Sequence, residues 1–167
     1  MERIKQLFLG LILSVAACAS FGAAMSDFAE NKVIDTIFRA QTAFAPATLY
    51  VGLATTACSD SATGTEVTGG SYARVAVTSS LANWAGTQSA GSTTASSGTG
   101  GTTSNNIVLT FPAPTANWGS ITHVPIMDAA TAGNLVFCIA LTVAKTVNNA
   151  DAAPSFAPAA LTLQIDN

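Results

Sequence analysis

Residues 135–143 read LVFCIALTV, and this stretch decides the fold class. Large apolar side chains occupy every second position along it, namely Leu135, Phe137, Ile139, Leu141 and Val143. Because successive side chains of a β-strand point to opposite faces of the sheet, a period of two predicts a strand. It is the longest such series in the chain.

Shorter runs with the same period surround this stretch on both sides. Gly-, Pro-, Asn- and Asp-rich segments separate them, as is typical of strands joined by turns. The runs cover residues 49–53, 73–77, 107–111 and 161–165, with two more strands predicted near 120–127 and 154–157. We therefore predict an all-β fold, an antiparallel β-sandwich or a jelly-roll-like domain.

One segment has the period of a helix instead. Its apolar residues recur at the spacing i, i+1, i+4, i+5, in the order Val33, Ile34, Ile37 and Phe38. This pattern predicts a single N-terminal amphipathic helix over residues 28–40. Asp27 and Glu30 have the spacing of a capping box at its start, and Phe28 is placed to staple the chain entry.

The chain length of 167 residues suits one structural domain, predicted over residues 25–167. Within it, residues 86–106 carry no apolar side chain larger than Ala. Such a segment buries too little surface to offset the entropy of ordering, so we predict a flexible Gly/Ser/Thr-rich loop. The alternative is an arm that becomes ordered against a neighbouring molecule.

Residues 1–24 have a different composition from the domain. A short basic start precedes an apolar run over 7–19 and a stretch of small residues. This layout predicts either a secretory signal or an extension outside the fold that precedes Met25. A further alternative is a lipoprotein leader in which Cys18 carries the lipid.

The cysteines define neither a metal site nor a disulfide framework by their number. The domain contains two, Cys58 and Cys138, at positions 80 residues apart. Cys138 lies within the apolar run and is expected to act as a small buried hydrophobe. Cys58 lies in a Thr/Ser/Ala segment and is expected to be a free, exposed thiol, with a bridge to Cys138 as the alternative.

Charge and composition limit the partners. Only 9% of the residues are charged, the formal net charge is −3, and the six basic residues are scattered along the chain. Binding to nucleic acid needs clustered Lys and Arg, so we expect no nucleic-acid partner. A neutral, hydroxyl-rich surface favours a protein that is part of an assembly.

Catalytic motifs are not found. His123 is the sole histidine, which excludes multi-histidine metal sites and leaves no pattern for a general base, so we expect no enzyme, no metal and no cofactor. Trp84 and Trp118 each follow an asparagine and precede a glycine turn. They are expected either to close the core or to contact a partner, and with His123 they are the candidate partner-binding residues.

Four segments in succession resemble one known protein family. They are MSDFAENKVIDTIFRAQTAFAPATLYVGL (25–53), TEVTGGSYARVAV (65–77), FPAPTANWGSITHVPIMDAATAGNLVF (111–137) and LTVAKTVNNADAAPSFAPAALTLQID (141–166). The family comprises small structural proteins of tailed-bacteriophage particles, described as tail-fibre proteins and also considered as head-decoration proteins. The leader and the long insertion after Trp84 depart from its pattern.

The resemblance implies a β-rich structural protein at the virion surface with no active site. Our leading hypothesis is a capsid decoration or cement protein that bridges coat subunits as a homo-oligomer. The alternatives are a tail-fibre or receptor-binding module and an exported bacterial surface adhesin or lipoprotein. Expected partners are further copies of the chain and phage coat or tail proteins, with no membrane partner unless the leader is retained or Cys18 is lipidated.

Overall fold

A computed structural model describes residues 24–165 of the chain. Its elements are antiparallel strands and a single helix, which confirms the predicted all-β fold class. In chain order they are β1 (Ala24–Met25), α1 (Asp27–Phe38), β2 (Thr48–Val51), β3 (Val75–Thr78), β4 (Thr102–Ser104), β5 (Leu109–Thr110), β6 (Gly119–Met127), β7 (Leu135–Val147), β8 (Ser155–Phe156) and β9 (Thr162–Gln164).

The main sheet has five strands in the order β1-β7-β6-β2-β3. The stretch that decided the fold class forms most of β7, which runs for 13 residues and pairs along β6. Strands β2, β6 and β7 each have a partner strand on both sides, whereas β1 and β3 are the edge strands. The hairpin of β6 and β7 is thus the centre of the domain.

Two small ribbons, β4–β9 and β5–β8, complete the domain. Their apolar side chains enter the same core as those of the main sheet. The buried members of this core are Val51, Leu53, Val67, Val77, Leu109, Phe111, Trp118, Ile121, Val124, Ile126, Ile139, Val147, Leu161 and Leu163. The main sheet and the two ribbons therefore share this core, while the sandwich and jelly-roll architectures stay predictions.

The end of the predicted flexible loop differs from the prediction. Thr102–Ser104 form the strand β4, and Asn105 beside it is fully buried. The Asn105 amide donates to the carbonyls of Ile107 and Ala157, each at 2.7 Å, and accepts from the backbone N–H of Leu161 at 2.8 Å. Polar contacts of this kind order a segment that has almost no apolar surface to bury.

The helix cap also differs from the prediction. The N-cap is Ser26, whose backbone is extended and whose side-chain hydroxyl accepts the N–H of Ala29 at 3.2 Å. Asp27 is the first helical residue, so the predicted cap at Asp27 is wrong by one position. Ser26 is buried, and its hydroxyl donates to the carbonyl of Leu135. This long-range contact favours Ser26 over Asp27 as the N-cap, and the local spacing of residues does not indicate it.

The prediction of a free thiol at Cys58 is wrong. Cys58 and Cys138 form a disulfide, with a Cα–Cα distance of 6.0 Å that lies in the usual range for a bridge. The bridge fastens the segment after β2 to the N-terminal part of β7. Antiparallel pairing brings these distant positions together, and sequence separation alone does not indicate it.

The predicted leader over residues 1–24, including Cys18, lies outside the described residues except for Ala24. Across residues 24–165, no helix is long and apolar enough to cross a membrane.

Candidate partner-binding surfaces

His123 lies on β6 and is half-buried. Its backbone pairs with Ala54, and its Nδ1 lies 2.9 Å from the hydroxyl of Thr122. In the part of the chain that the structure describes, no three His, Cys, Asp or Glu side chains come together as a metal site. The contacts of His123 are thus those of a residue within a strand.

Trp118 is part of the core. It is 5% exposed, its indole N–H donates to the carbonyl of Gly70 at 3.0 Å, and its ring meets Tyr72 edge-on at 5.4 Å. A tryptophan with both its ring and its N–H satisfied inside the protein contributes to stability. Of the two roles predicted for Trp118, these contacts fit closure of the core.

Trp84 lines a cavity of about 520 Å³ between the main sheet and the β4–β9 ribbon. Its apolar walls include Leu49, Phe137 and Leu163, and its hydroxyl groups come from Ser79, Ser80, Ser96 and Thr103. The indole N–H of Trp84 is buried and has no hydrogen-bond partner among the described residues. Neither Trp118 nor His123 lines this cavity, so the structure does not bring the three predicted residues together.

A polar cluster of Glu66, Tyr72 and Arg74 lies beside the core, and no sequence motif identifies these three residues as a unit. Arg74 forms a two-pronged ion pair with Glu66, through Nε to Oε1 at 2.7 Å and Nη2 to Oε2 at 2.6 Å. The hydroxyl of Tyr72 donates to Glu66 at 2.8 Å and accepts from the N–H of Leu53 at 2.8 Å.

The environment of this cluster keeps Glu66 charged. Burial raises the pKa of the Glu66 carboxyl, but the hydrogen bonds from Arg74 and Tyr72 outweigh it and leave the pKa below its ordinary value. Burial, together with the neighbouring Glu66 carboxylate, raises the pKa of Tyr72 far above its ordinary value. Both carboxylate oxygens are occupied by Arg74, so the cluster is suited to holding the fold together.

The same arginine fixes a loop. Nη1 of Arg74 donates to the carbonyls of Ala129 and Ala132, at 2.7 and 2.8 Å, in the turn between β6 and β7. Asp128 closes that turn by accepting the backbone and side-chain N–H groups of Asn134. The only sequence signal for this arrangement is the spacing of Glu66 and Arg74 on either side of a turn.

Large apolar side chains on the surface are the clearest sign of a partner. Those that remain exposed include Val33, Ile34, Ile37, Phe38, Leu81, Ile107, Val108, Val143 and Ile165. Four of the nine lie on one side of α1, where they form a continuous patch. Contiguous exposed apolar patches mark sites of protein interaction more often than single exposed residues do.

The comparison with known protein families assigns the chain. The family model of the podophage GP4 fiber I protein gp80 matches residues 24–164, which extend from β1 to the last residue of β9. The chain belongs to this family. No curated protein matches the chain.

Membership of the GP4 fiber I family confirms the predicted resemblance to structural proteins of phage particles. The chain therefore has a structural role in the virion. The match spans all the strands and the helix, so the whole domain is the unit that the fiber I family shares. Trp84 and Trp118 both fall inside the matched range.

Proposed function

We propose that the chain is a non-enzymatic tail-fibre protein that binds further copies of itself and neighbouring proteins at the surface of the phage particle. The observation that carries this proposal is the fiber I family match over residues 24–164. The whole described domain is fibre-like in sequence, so we assign the fibre role to the domain itself.

The surface of the domain supports protein partners. Apolar residues such as Phe38 and Val143 face outward at 78% exposure, while the charged residues are few and not clustered by sign. Apolar contacts need no charge complement, and repeated copies in a symmetric assembly multiply contacts that are individually weak. Such a surface suits a protein that is held in place by many neighbours.

Localisation on the particle tests the proposal. An epitope tag inserted at Gly98, which is exposed and lies in a loop outside the core, leaves the core intact. Gold-labelled antibody against the tag is expected to bind at the tail of purified particles. Labelling spread over the head would favour the capsid decoration hypothesis. Particles that carry no label would contradict the proposal that the chain is part of the virion.

Capsid decoration remains a prediction, because the family match speaks for a virion structural role and not for a position on the head. Copy number separates the two positions. Quantitative mass spectrometry of particles is expected to give a copy number of the chain that is in proportion to the copy numbers of the tail proteins. A count that follows the coat protein would contradict the fibre proposal.

Recognition of the host surface is a second candidate function, favoured by the cavity beside Trp84. Its walls combine an aromatic ring, aliphatic side chains and hydroxyl groups, with no charged side chain among the lining residues. This combination suits an uncharged ligand with an apolar face, such as a sugar ring. Particles carrying Trp84→Ala should then adsorb more slowly to host cells, while Val108→Ala particles, changed at an exposed apolar position outside the cavity, serve as the control.

The non-enzymatic part of the proposal has a separate test. The purified chain is expected to leave host envelope polysaccharide at its original chain length during prolonged incubation, as measured by size-exclusion chromatography. Shortening of the polysaccharide that persists after repeated purification of the chain would contradict it.

A further inference from the structure

The connection between β2 and β3 begins with a hairpin over residues 53–67. Its two arms are paired, and the N–H of Thr55 donates to the carbonyl of Thr65 at 2.9 Å. The tip of this hairpin, defined as residues 57–63, is exposed or half-buried at every position. A segment that buries so little surface opens readily unless another constraint holds it against the domain.

The disulfide supplies such a constraint. It joins Cys58 in the tip to Cys138 on β7, and the two Cα atoms lie 6.0 Å apart. The bridge belongs to a small apolar cluster with Met127, Leu135 and the partly buried Tyr50, separate from the main core. It is therefore the covalent link between the tip and the main sheet.

The tip in turn holds the start of α1. The carbonyl of Asp60 accepts the N–H of Asp27, the first residue of the helix, at 3.0 Å. The first N–H groups of a helix have no partner within the helix, so contacts of this kind satisfy and position its start. On β7, the carbonyl of Val136 accepts the N–H of Ser26 at 3.0 Å. The start of α1 is thus bonded both to β7 and to the tip that the disulfide fastens to β7.

Within residues 24–165, little else holds α1 against the main sheet. Ala29 is the buried residue of the helix, and residues 30–38 are exposed or half-buried. Phe28 packs edge-on against Phe44 at 5.3 Å, but Phe44 lies in the link that follows the helix. Local opening is easiest where few apolar contacts are buried, so the docking of α1 depends on the contacts of its first turn.

The two cysteines differ in their access to small molecules. Cys138 is 8% exposed, whereas Cys58 is half-buried in the tip. Exchange with a low-molecular-weight disulfide such as glutathione disulfide therefore starts at Cys58, whose thiolate forms a mixed disulfide and releases one glutathione thiol. The Cys138 thiolate then attacks the Cys58 sulfur and displaces the second glutathione. The two protein sulfurs lose the two electrons that the small disulfide gains, and their two protons pass to the two released thiols.

We propose that Cys58 and Cys138 form a redox clasp, which holds the tip and the start of α1 on β7 when it is oxidised and leaves them loosely docked when it is reduced. The main core stays folded in both states. The cytosol keeps thiols reduced, whereas disulfides form and persist outside the cell. A virion protein meets both conditions, so the clasp closes when the particle leaves the cell. This inference holds for a position on the tail or on the head.

Limited digestion of the full chain with trypsin tests the clasp, since Lys32 lies within α1 and Arg74 lies next to β3. Proteolysis of a folded protein follows the population of locally opened states. Cleavage after Lys32 is expected to be at least about tenfold faster in the double variant Cys58→Ser with Cys138→Ala than in the oxidised wild type. The comparison uses digestion times at which the Arg74 site is intact in both proteins.

A matched control separates the clasp from a general loss of stability. Asn105→Ala removes three buried hydrogen bonds beside β4 and keeps the bridge in place. Cleavage after Lys32 in this variant is expected to stay within about twofold of wild type, because the first turn of α1 keeps its contacts. Wild type that is first reduced and then reoxidised with glutathione disulfide is expected to regain its resistance after Lys32.

The order of the exchange steps has its own test. Incubation with glutathione disulfide should give Cys138→Ala a mixed disulfide at Cys58, detected by mass spectrometry. The same treatment of Cys58→Ser should modify Cys138 at least about tenfold more slowly, because that sulfur is buried. Faster modification of Cys138 would overturn the proposed order.

The remaining outcomes decide the clasp itself. Equal cleavage after Lys32 in the wild type and the double variant overturns it. An acceleration that Asn105→Ala reproduces also overturns it, because cleavage then follows the stability of the whole domain. Simultaneous cleavage after Lys32 and Arg74 in the double variant overturns it as well, since the domain then opens as one unit.

Discussion

Removal of the disulfide between Cys58 and Cys138 should destabilise the domain more than any single surface change. The bridge joins positions 80 residues apart, and closure of a loop of this length in the unfolded chain is worth about 4–5 kcal/mol in the chain-entropy account. Cys58→Ser combined with Cys138→Ala removes it with little change of volume at the buried position. For a domain of this size we expect the melting temperature to fall by about 10 °C or more.

Circular dichroism melts of the wild type and the double variant, each with and without reductant, provide the assay. Reductant should lower the wild-type melting temperature to near that of the variant and leave the variant unchanged, which controls for effects of the reductant itself. Non-reducing peptide mapping should recover the segments around Cys58 and Cys138 as one cross-linked species. Equal melting temperatures for oxidised and reduced wild type, or two unlinked peptides in the native protein, would refute the reasoning.

Three further substitutions test the polar contacts and the core. Glu66→Gln should lower the free energy of unfolding by about 2–3 kcal/mol at pH 7. Because the pKa of Glu66 in the folded protein lies below its ordinary value of 4.5, this difference should disappear as the pH falls through the lowered pKa. A difference in urea unfolding that is independent of pH would contradict this expectation. Asn105→Ala should lower the free energy of unfolding by about 3 kcal/mol, since three backbone groups lose their buried partner. Hydrogen exchange at the Leu161 amide should then accelerate, and unchanged exchange at that amide would count against the contact. Trp118→Phe should lower the free energy of unfolding by about 1–3 kcal/mol in the same assay, because the hydrogen bond to Gly70 is lost and the ring is smaller. An unchanged free energy would show that the indole is not held in the core.

The parts of the fold that the sequence predicts are those with a local signal. The alternation over residues 135–143 is a property of neighbouring positions, and it identifies β7 because any strand with one buried face must show it. The same reasoning places β2, β3 and β6 close to their observed bounds. The observed β7 continues to Val147, beyond the alternating series, because residues 145–147 pair with residues 119–121 of β6.

The parts that the sequence does not predict depend on distant partners. Thr102–Ser104 have the composition of a loop and become a strand because β9 pairs with them. The bond of Ser26 to Leu135 spans 109 positions, so the spacing of Asp27 and Glu30 indicated a cap one residue too late. Likewise, the apposition of Cys58 with Cys138 follows from sheet topology, and no local pattern distinguishes a paired cysteine from a free one.

The helix α1 shows a different limit. The positions of Val33, Ile34, Ile37 and Phe38 predict a helix with one apolar side, and the observed helix over Asp27–Phe38 agrees with that prediction. The pattern requires only that this side be removed from water, and both a core and a second molecule meet that requirement. Which of the two applies is decided by Ser26 and Ala29, because the contacts of the first turn orient the helix with its apolar side outward. In a protein that functions within an assembly, an amphipathic stripe therefore indicates a buried surface without indicating whose surface buries it.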